Sequence, residues 1–537
     1  MMTRAGSRLR PAVLVALGAF VLGLVNAIPA QAARAAVSCG QVITTSITLA
    51  ADVGPCPADG MIVRADRITV DLAGHTVRGA ATRLPSGDAA GIRVAGRSGV
   101  TIRGGTVSGF DAGVVVSGGS ANTLTHLVVQ DNLSSANADP PGSTNFTANL
   151  GDGITIVNSA GNTVVQNIVR RNGIYDNISV LGAGSDDNTI QANSITAAVS
   201  ARLPDFNPVG QGVVIDAAVS SPLNSRVPIH RNKVVGNVIE HNDNSGVYTA
   251  SNVDGLIDRN TVRFNGFSGN KFNSAINVSA DPGLSHLTRV TVSNNNVANN
   301  SSVGIDLNAI DAMPTEANQV VRNVVNGNGF LDGDQPKGGG IAFGKDGVVR
   351  ENQVMNNQGT GVFLGGTNRG NSVIGNTIIG NNHEGIVLAA TAGNTVVGNQ
   401  VHRNTQSGIG VVFSDGPNVV RDNDAAGNMV RPTPYSSFYL PPYTLGADLI
   451  ELSIAALTED PPRFDCQPDI WLRNKWGSGG YFPVCVTAGG SGPPNKLASP
   501  SPQALAAGPG VAAERPAFQL PKPPSSRPPV VRHVPAR

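Results

Sequence analysis

The chain has 537 residues, of which 65 are glycine, 4% are aromatic and 14% are charged. A compact globule of this length normally needs more large side chains, whereas a stacked coil buries small β-branched ones in a thin continuous core. A net charge of +1 leaves no global electrostatic case for nucleic acid or an acidic lipid surface as partner.

Residues 1–32 read as an export signal. Arg4, Arg8 and Arg10 precede an apolar run from Pro11 to Ile28, and Ala30-Gln31-Ala32 supplies a small-x-small cleavage pattern. A retained anchor is the alternative, since the run approaches spanning length. With the signal removed, the chain is expected to be secreted and to have no membrane span.

Residues 33–60 predict an N-terminal cap containing Cys39 and Cys56. Cys466 and Cys485 form a second close pair at the other end. Two local disulfides in an oxidising compartment fit this spacing. A metal site is the alternative, but no Cys-x-x-Cys element or histidine cluster accompanies the cysteines.

Residues 61–430 carry the repeat. Asn371, Asn376 and Asn381 are five residues apart, and the triplet recurs at Asn394, Asn399 and Asn404, then at Asn418, Asn423 and Asn428. Between triplets lies a short apolar run opening on glycine, such as Gly361-Val-Phe-Leu and Gly385-Ile-Val-Leu. A fixed period of this size marks a stacked repeat. One inward apolar residue follows most corner asparagines (Val373, Ile378, Val396), so each side is a short strand. Asparagine is expected to take the left-handed backbone at each corner and to bond its copies in a ladder along the axis. A right-handed parallel β-helix of about 13 rungs follows, with strand spacing setting the rise. Residues 431–487, proline-rich and holding Trp471 and Trp476, read as a C-terminal cap with a short helix over Leu449–Leu457. The tryptophans have a sugar-stacking platform as their alternative reading. Residues 488–537 are too rich in Pro, Ala and Ser to bury a core and are expected to be disordered.

The Gly-Ile-x-Val strands, the Asn corners, the opening Val70-Asp71-Leu-Ala-Gly74-His75-Thr-Val and the closing Cys466…Trp471…Asn474…Cys485 resemble the secreted parallel β-helix proteins of the pectate-lyase-like superfamily. The resemblance implies the fold, and a carbohydrate-binding or sugar-hydrolysing role. It does not select one, because the same coil serves lyases, epimerases, hydrolases and binders.

Intervals between equivalent corner asparagines locate the decoration. From Asn352 to Asn423 they are 24, 23 and 24 residues, but between Asn193 and Asn352 they are 44, 23, 35, 28 and 29. Loops on a rigid scaffold concentrate function. Alternation along the Gly-Ile-x-Val strands places Asp216, Tyr248, Asn277 and Ser279, Asp306 and Asn308 outward on these rungs, where regular rungs carry Phe363 and Val387. Asp306 with Tyr248 and Asp281 is the candidate catalytic set. Asp216, Asn277 and Asn308 would bind substrate, with Arg289 and Lys345 (or Lys337) neutralising a uronate carboxylate and His241 or His286 as alternative bases. Ca2+ is the cation such chemistry could also use; no other cofactor is implied. Asp186-Asp187 lacks the companion motifs of polygalacturonases and is read as a turn. The partner is expected to be a polysaccharide or cell-surface glycan, bound by a monomer. Two classes remain: a lyase, epimerase or hydrolase acting on an extended polysaccharide, or a non-catalytic adhesive or matrix protein.

Overall fold

The computed structural model describes residues 33–80, 89–133, 152–200, 210–217, 227–267, 274–280, 284–307, 315–332, 335–365, 368–414, 416–428, 447–452, 466, 468–477, 481–482 and 484–492. Strands dominate these residues, and a single helical turn, Val484–Thr487, accompanies them. One sheet of 16 strands runs from Gln41–Ile43 to Tyr481–Phe482 and contains every Gly-Ile-x-Val segment. A 27-stranded sheet makes the other two sides. Neighbours in the first sheet pair parallel, each strand with its copy one turn on. This is the predicted parallel coil.

Both cap segments contribute strands to the first side. Gln41–Ile43 pairs with Met61–Val63, and Leu449–Leu452 pairs with Ile409–Val412. The helix expected from Leu449 is therefore a strand at its start. Its Leu-Ile-Glu-Leu pattern resembles an amphipathic helix, but Glu451 is buried and accepts a hydrogen bond from Trp471 Nε1 at 2.9 Å. Trp471 and Trp476 are both buried in the main core, so neither forms a sugar platform. Disulfides join Cys39 to Cys56 and Cys466 to Cys485, as expected.

Inward residues of the first side (Val213 and Ile215, Val247, Ile276 and Val278, Ile305 and Leu307) meet single inward residues of the other two sides, such as Val320 and Val325. Each buried side chain contributes roughly 1.5–3 kcal/mol. The opening glycine has a packing cause. A Cβ on Gly246 would lie 2.4 Å from Val262 Cγ1, and one on Gly385 would lie 2.2 Å from Val401 Cγ1 and 2.8 Å from Asn404 Nδ2.

The corners work differently from the expectation. The left-handed residue is the one before each ladder asparagine, for example Ala192, Arg259, Arg322 and Glu351 with φ between 53° and 57°. Asparagine is needed instead for its amide. Its Oδ1 accepts from both the backbone N–H and the Nδ2 of the preceding copy, while its own Nδ2 donates to the next copy and to a backbone carbonyl. For Asn323 these bonds are 2.9 and 3.0 Å from Asn295, 3.0 Å to Asn352 and 2.9 Å to Val292. The middle ladder runs unbroken from Asn167 to Asn474. Left-handed backbone costs roughly 1–2 kcal/mol at a non-glycine residue, and fully satisfied buried amides offset it.

Candidate functional site

Tyr248, Asn277 and Asp306 stand directly opposite one another on consecutive first-side strands, Val247–Ala250, Ile276–Ser279 and Ile305–Asp306. Two strand spacings, about 10 Å, separate the first from the last. Their outward row continues on one flank through Val115, Thr155, Ser179 and Val214, and on the other through Ala342, Phe363, Val387, Gly410 and Ile450. Every one of those flanking residues is buried. Tyr248, Asn277 and Asp306 alone in that run, from Val115 to Ile450, keep partial contact with solvent. They form a polar window in a closed row.

Inside the window the groups are held in place. Ser274 Oγ donates to Asp306 Oδ2 at 3.0 Å, orienting the carboxylate. Asn277 Oδ1 is shielded from solvent and has no hydrogen-bond donor among the described residues.

Other expected site residues lie elsewhere. Asp216 is opposite Ala250, not Tyr248, so it belongs to the next outward row; the residue aligned with Tyr248 is Val214. The opening glycines carry this register in the sequence, since Asp216 is four places after Gly212 and Tyr248 two after Gly246. Arg289 and Lys345 sit on the corner after the first side. Arg289 is clamped by Asp254 through two bonds of 2.6 and 2.8 Å, which hold the Asp254 carboxyl below its ordinary range. Lys345 Nζ donates to Glu316 at 2.9 Å, which raises the ammonium's affinity for its proton. Phe363 and Val387, expected to be an open undecorated surface, pack with Ala342 and Ala389 in a small apolar cluster outside the coil. His241 stacks on Phe264 at a different corner. Asp187 pairs with Arg231, and Asp186 accepts the His230 N–H, so the Asp-Asp pair is a corner as read. Asp281 and Asn308 lie outside the described residues, as does the Lys337 side chain.

Two acids on the same side escaped the sequence reading. Asp152 and Asp176 precede the paired strands Ile154–Val157 and Ile178–Leu181, and both are buried. The Asp176 N–H donates to Asp152 Oδ1 at 2.9 Å, and Thr155 Oγ1 donates to Asp152 Oδ2 at 3.0 Å. Burial pushes Asp152 up to about 6. Asp176 is raised as well, by burial and by the charge on Asp152. The available signal was an acid immediately before the opening Gly153 and again before Asn177. Among the described residues no group of three or more His, Cys, Asp or Glu side chains could hold a metal ion.

The family model for a right-handed β-helix region matches residues 86–282 and 286–428. The chain belongs to the right-handed β-helix family. No curated protein sequence matches it. Among solved structures, it is similar to the periplasmic alginate epimerase AlgG, at 12% identity over 74% of this chain and 76% of that one, with a TM-score of 0.38. It is also similar to PfbA, a surface adhesin of Streptococcus pneumoniae (11% identity, 73% and 82% covered, TM-score 0.37). A third is a tailspike mutant of E. coli bacteriophage HK620 in complex with a pentasaccharide (12% identity, 68% and 67% covered, TM-score 0.34). As a β-helix family member, the chain inherits a scaffold that hosts several chemistries, so its function is argued from its own window. No helix of the described residues is long and apolar enough to cross a membrane.

Proposed function

We propose that this β-helix chain is a secreted protein that binds a neutral, hydroxyl-rich glycan at the Tyr248–Asn277–Asp306 window. The observation that carries the reading is the row itself: three aligned polar side chains stay open where the flanking outward positions from Val115 to Ile450 are buried. A phenol, an amide and a carboxylate can all read sugar hydroxyls, and convergent polar groups in an otherwise closed surface are what a small-ligand site requires.

Neutral sugars suit the window better than uronates. The cations expected to neutralise a uronate, Arg289 and Lys345, are engaged by Asp254 and Glu316 on a corner, while Asp306 would repel a second carboxylate. Secretion is supported by the basic and apolar pattern of residues 1–32 and by the two disulfides, which persist in oxidising compartments.

An array carrying neutral and uronate oligosaccharides tests this with the mature chain, residues 33–537. Retention on neutral oligosaccharides is expected. Retention confined to uronates, or on no sugar at all, contradicts the reading.

A further inference from the structure

The window is closed along the coil axis on both flanks, by buried Val214 and buried Ala342. An oligosaccharide longer than the window therefore has to leave it sideways, along the strands. On the corner that leads into these strands, the ladder asparagines Asn242 and Asn265 are preceded by His241 and Phe264, both in left-handed backbone with φ of 57°. The equivalent positions on later turns hold Asn299, Gly327, Asn356, Gly380 and Arg403, residue types that tolerate or solvate this conformation. Every turn takes this conformation here, and the two aromatic rings are what set the His241 and Phe264 turns apart.

Phe264 is also 36% exposed, and Phe267, three residues on, is 51% exposed. Two neighbours fix the orientation of the Phe264 ring. The His241 ring stacks on it with centroids 5.2 Å apart, and the Arg263 guanidinium lies 5.7 Å from its centroid. Arg263 is in turn fixed by Glu240 at 2.6 Å, so the corner presents oriented aromatic surface without net charge. A preorganised ring at an exposed position points to a binding role.

We propose that Phe264 and Phe267 form a stacking subsite for a pyranose ring of the same glycan whose other residues occupy the Tyr248–Asn277–Asp306 window. This rests on the glycan-binding reading above. The flat C–H face of a neutral pyranose is apolar and matches an aromatic face, while its equatorial hydroxyls remain in water.

The test compares a neutral β-linked disaccharide with the hexasaccharide of the same series, both taken from the array hits, by titration calorimetry. Wild type is expected to bind the hexasaccharide about tenfold more tightly than the disaccharide, equivalent to ~1.4 kcal/mol. Phe264→Asn places in this corner a residue the coil already uses there, so folding is retained and the thermal midpoint should hold or rise. Phe264→Asn with Phe267→Ala should abolish the length preference and leave disaccharide binding unchanged. Asp306→Ala should weaken both sugars. A double variant that keeps the full preference for the hexasaccharide overturns the stacking subsite and leaves the window intact. Failure of wild type to bind either sugar overturns the window and the subsite together.

Discussion

The backbone N–H of Asp176 donates to the carboxylate of Asp152 at 2.9 Å, joining two buried acids on successive turns of the coil. Burial raises both, and among the groups that perturb them none is a cation. Among the described residues the groups facing the pair are the Thr155 and Ser179 hydroxyls, the backbone N–H groups of Gly210 and Gln211, and each other. A protonated Asp152 suits this site better than an ionised one, so its stabilising contribution is complete below the unfolded value near 3.8 and is lost as pH rises through about 6.

A first prediction follows for pH. Asp152→Asn keeps the acceptor for the Asp176 N–H and removes the ionisation. Relative to wild type it should be more stable at pH 8, by up to ~3 kcal/mol, and close to wild type at pH 4. Thermal midpoints of the two proteins across this range check it. Asp–Arg corner pairs such as Asp254–Arg289 act in the opposite sense in both proteins and cancel in the difference. Equal midpoints at both ends would show that Asp152 is ionised without cost.

A second concerns the ladder. Asn323→Ala removes five hydrogen bonds at a buried position, leaving the Asn295 amide and N–H, the Val292 and Val321 carbonyls and Asn352 Oδ1 short of partners. The expected loss is about 3–5 kcal/mol, readable as a fall in thermal midpoint. An acid at such a position is tolerated only where the ladder ends. Asp469 illustrates this, accepting from Asn418 N and Nδ2 at 2.7 and 2.8 Å.

A third separates the two parts of the outward row. Phe363→Ala should destabilise by about 3 kcal/mol, as large-to-small changes in packed clusters do, because Phe363 packs with Ala342, Val387 and Ala389. Tyr248→Phe, in the window, should change stability by under about 0.5 kcal/mol. Similar midpoints for both variants would mean that the flanks are as open as the window.

Much of the fold was legible because its cause is local and repeated. Five-residue asparagine spacing and period-two alternation define corners, strands and the inward positions, and alternation alone aligned Tyr248, Asn277 and Asp306. What stayed hidden depends on contacts between turns. Arg289 meets Asp254 across 35 residues and Lys345 meets Glu316 across 29, so both looked available for a substrate. Asp216 belongs to the next row because it is four places after its opening Gly212, whereas Tyr248 is two after Gly246; both point outward, and alternation alone does not separate the two rows. Phe363 and Val387 point outward as expected yet are buried, since alternation reports direction and not what lies above the sheet. The left-handed corner residue was assigned to asparagine by propensity, whereas the ladder demands the amide and passes the strain to its neighbour.

The most direct test of the account is the affinity of one neutral oligosaccharide retained on the array, titrated against wild type, Asp306→Ala, Tyr248→Phe and Glu351→Ala, the last an exposed corner residue far from the window. Asp306→Ala is expected to bind at least about tenfold more weakly, or ~1.4 kcal/mol, and Tyr248→Phe measurably more weakly, with Glu351→Ala equal to wild type and all four equally folded. Wild-type affinity in both window variants would contradict the account.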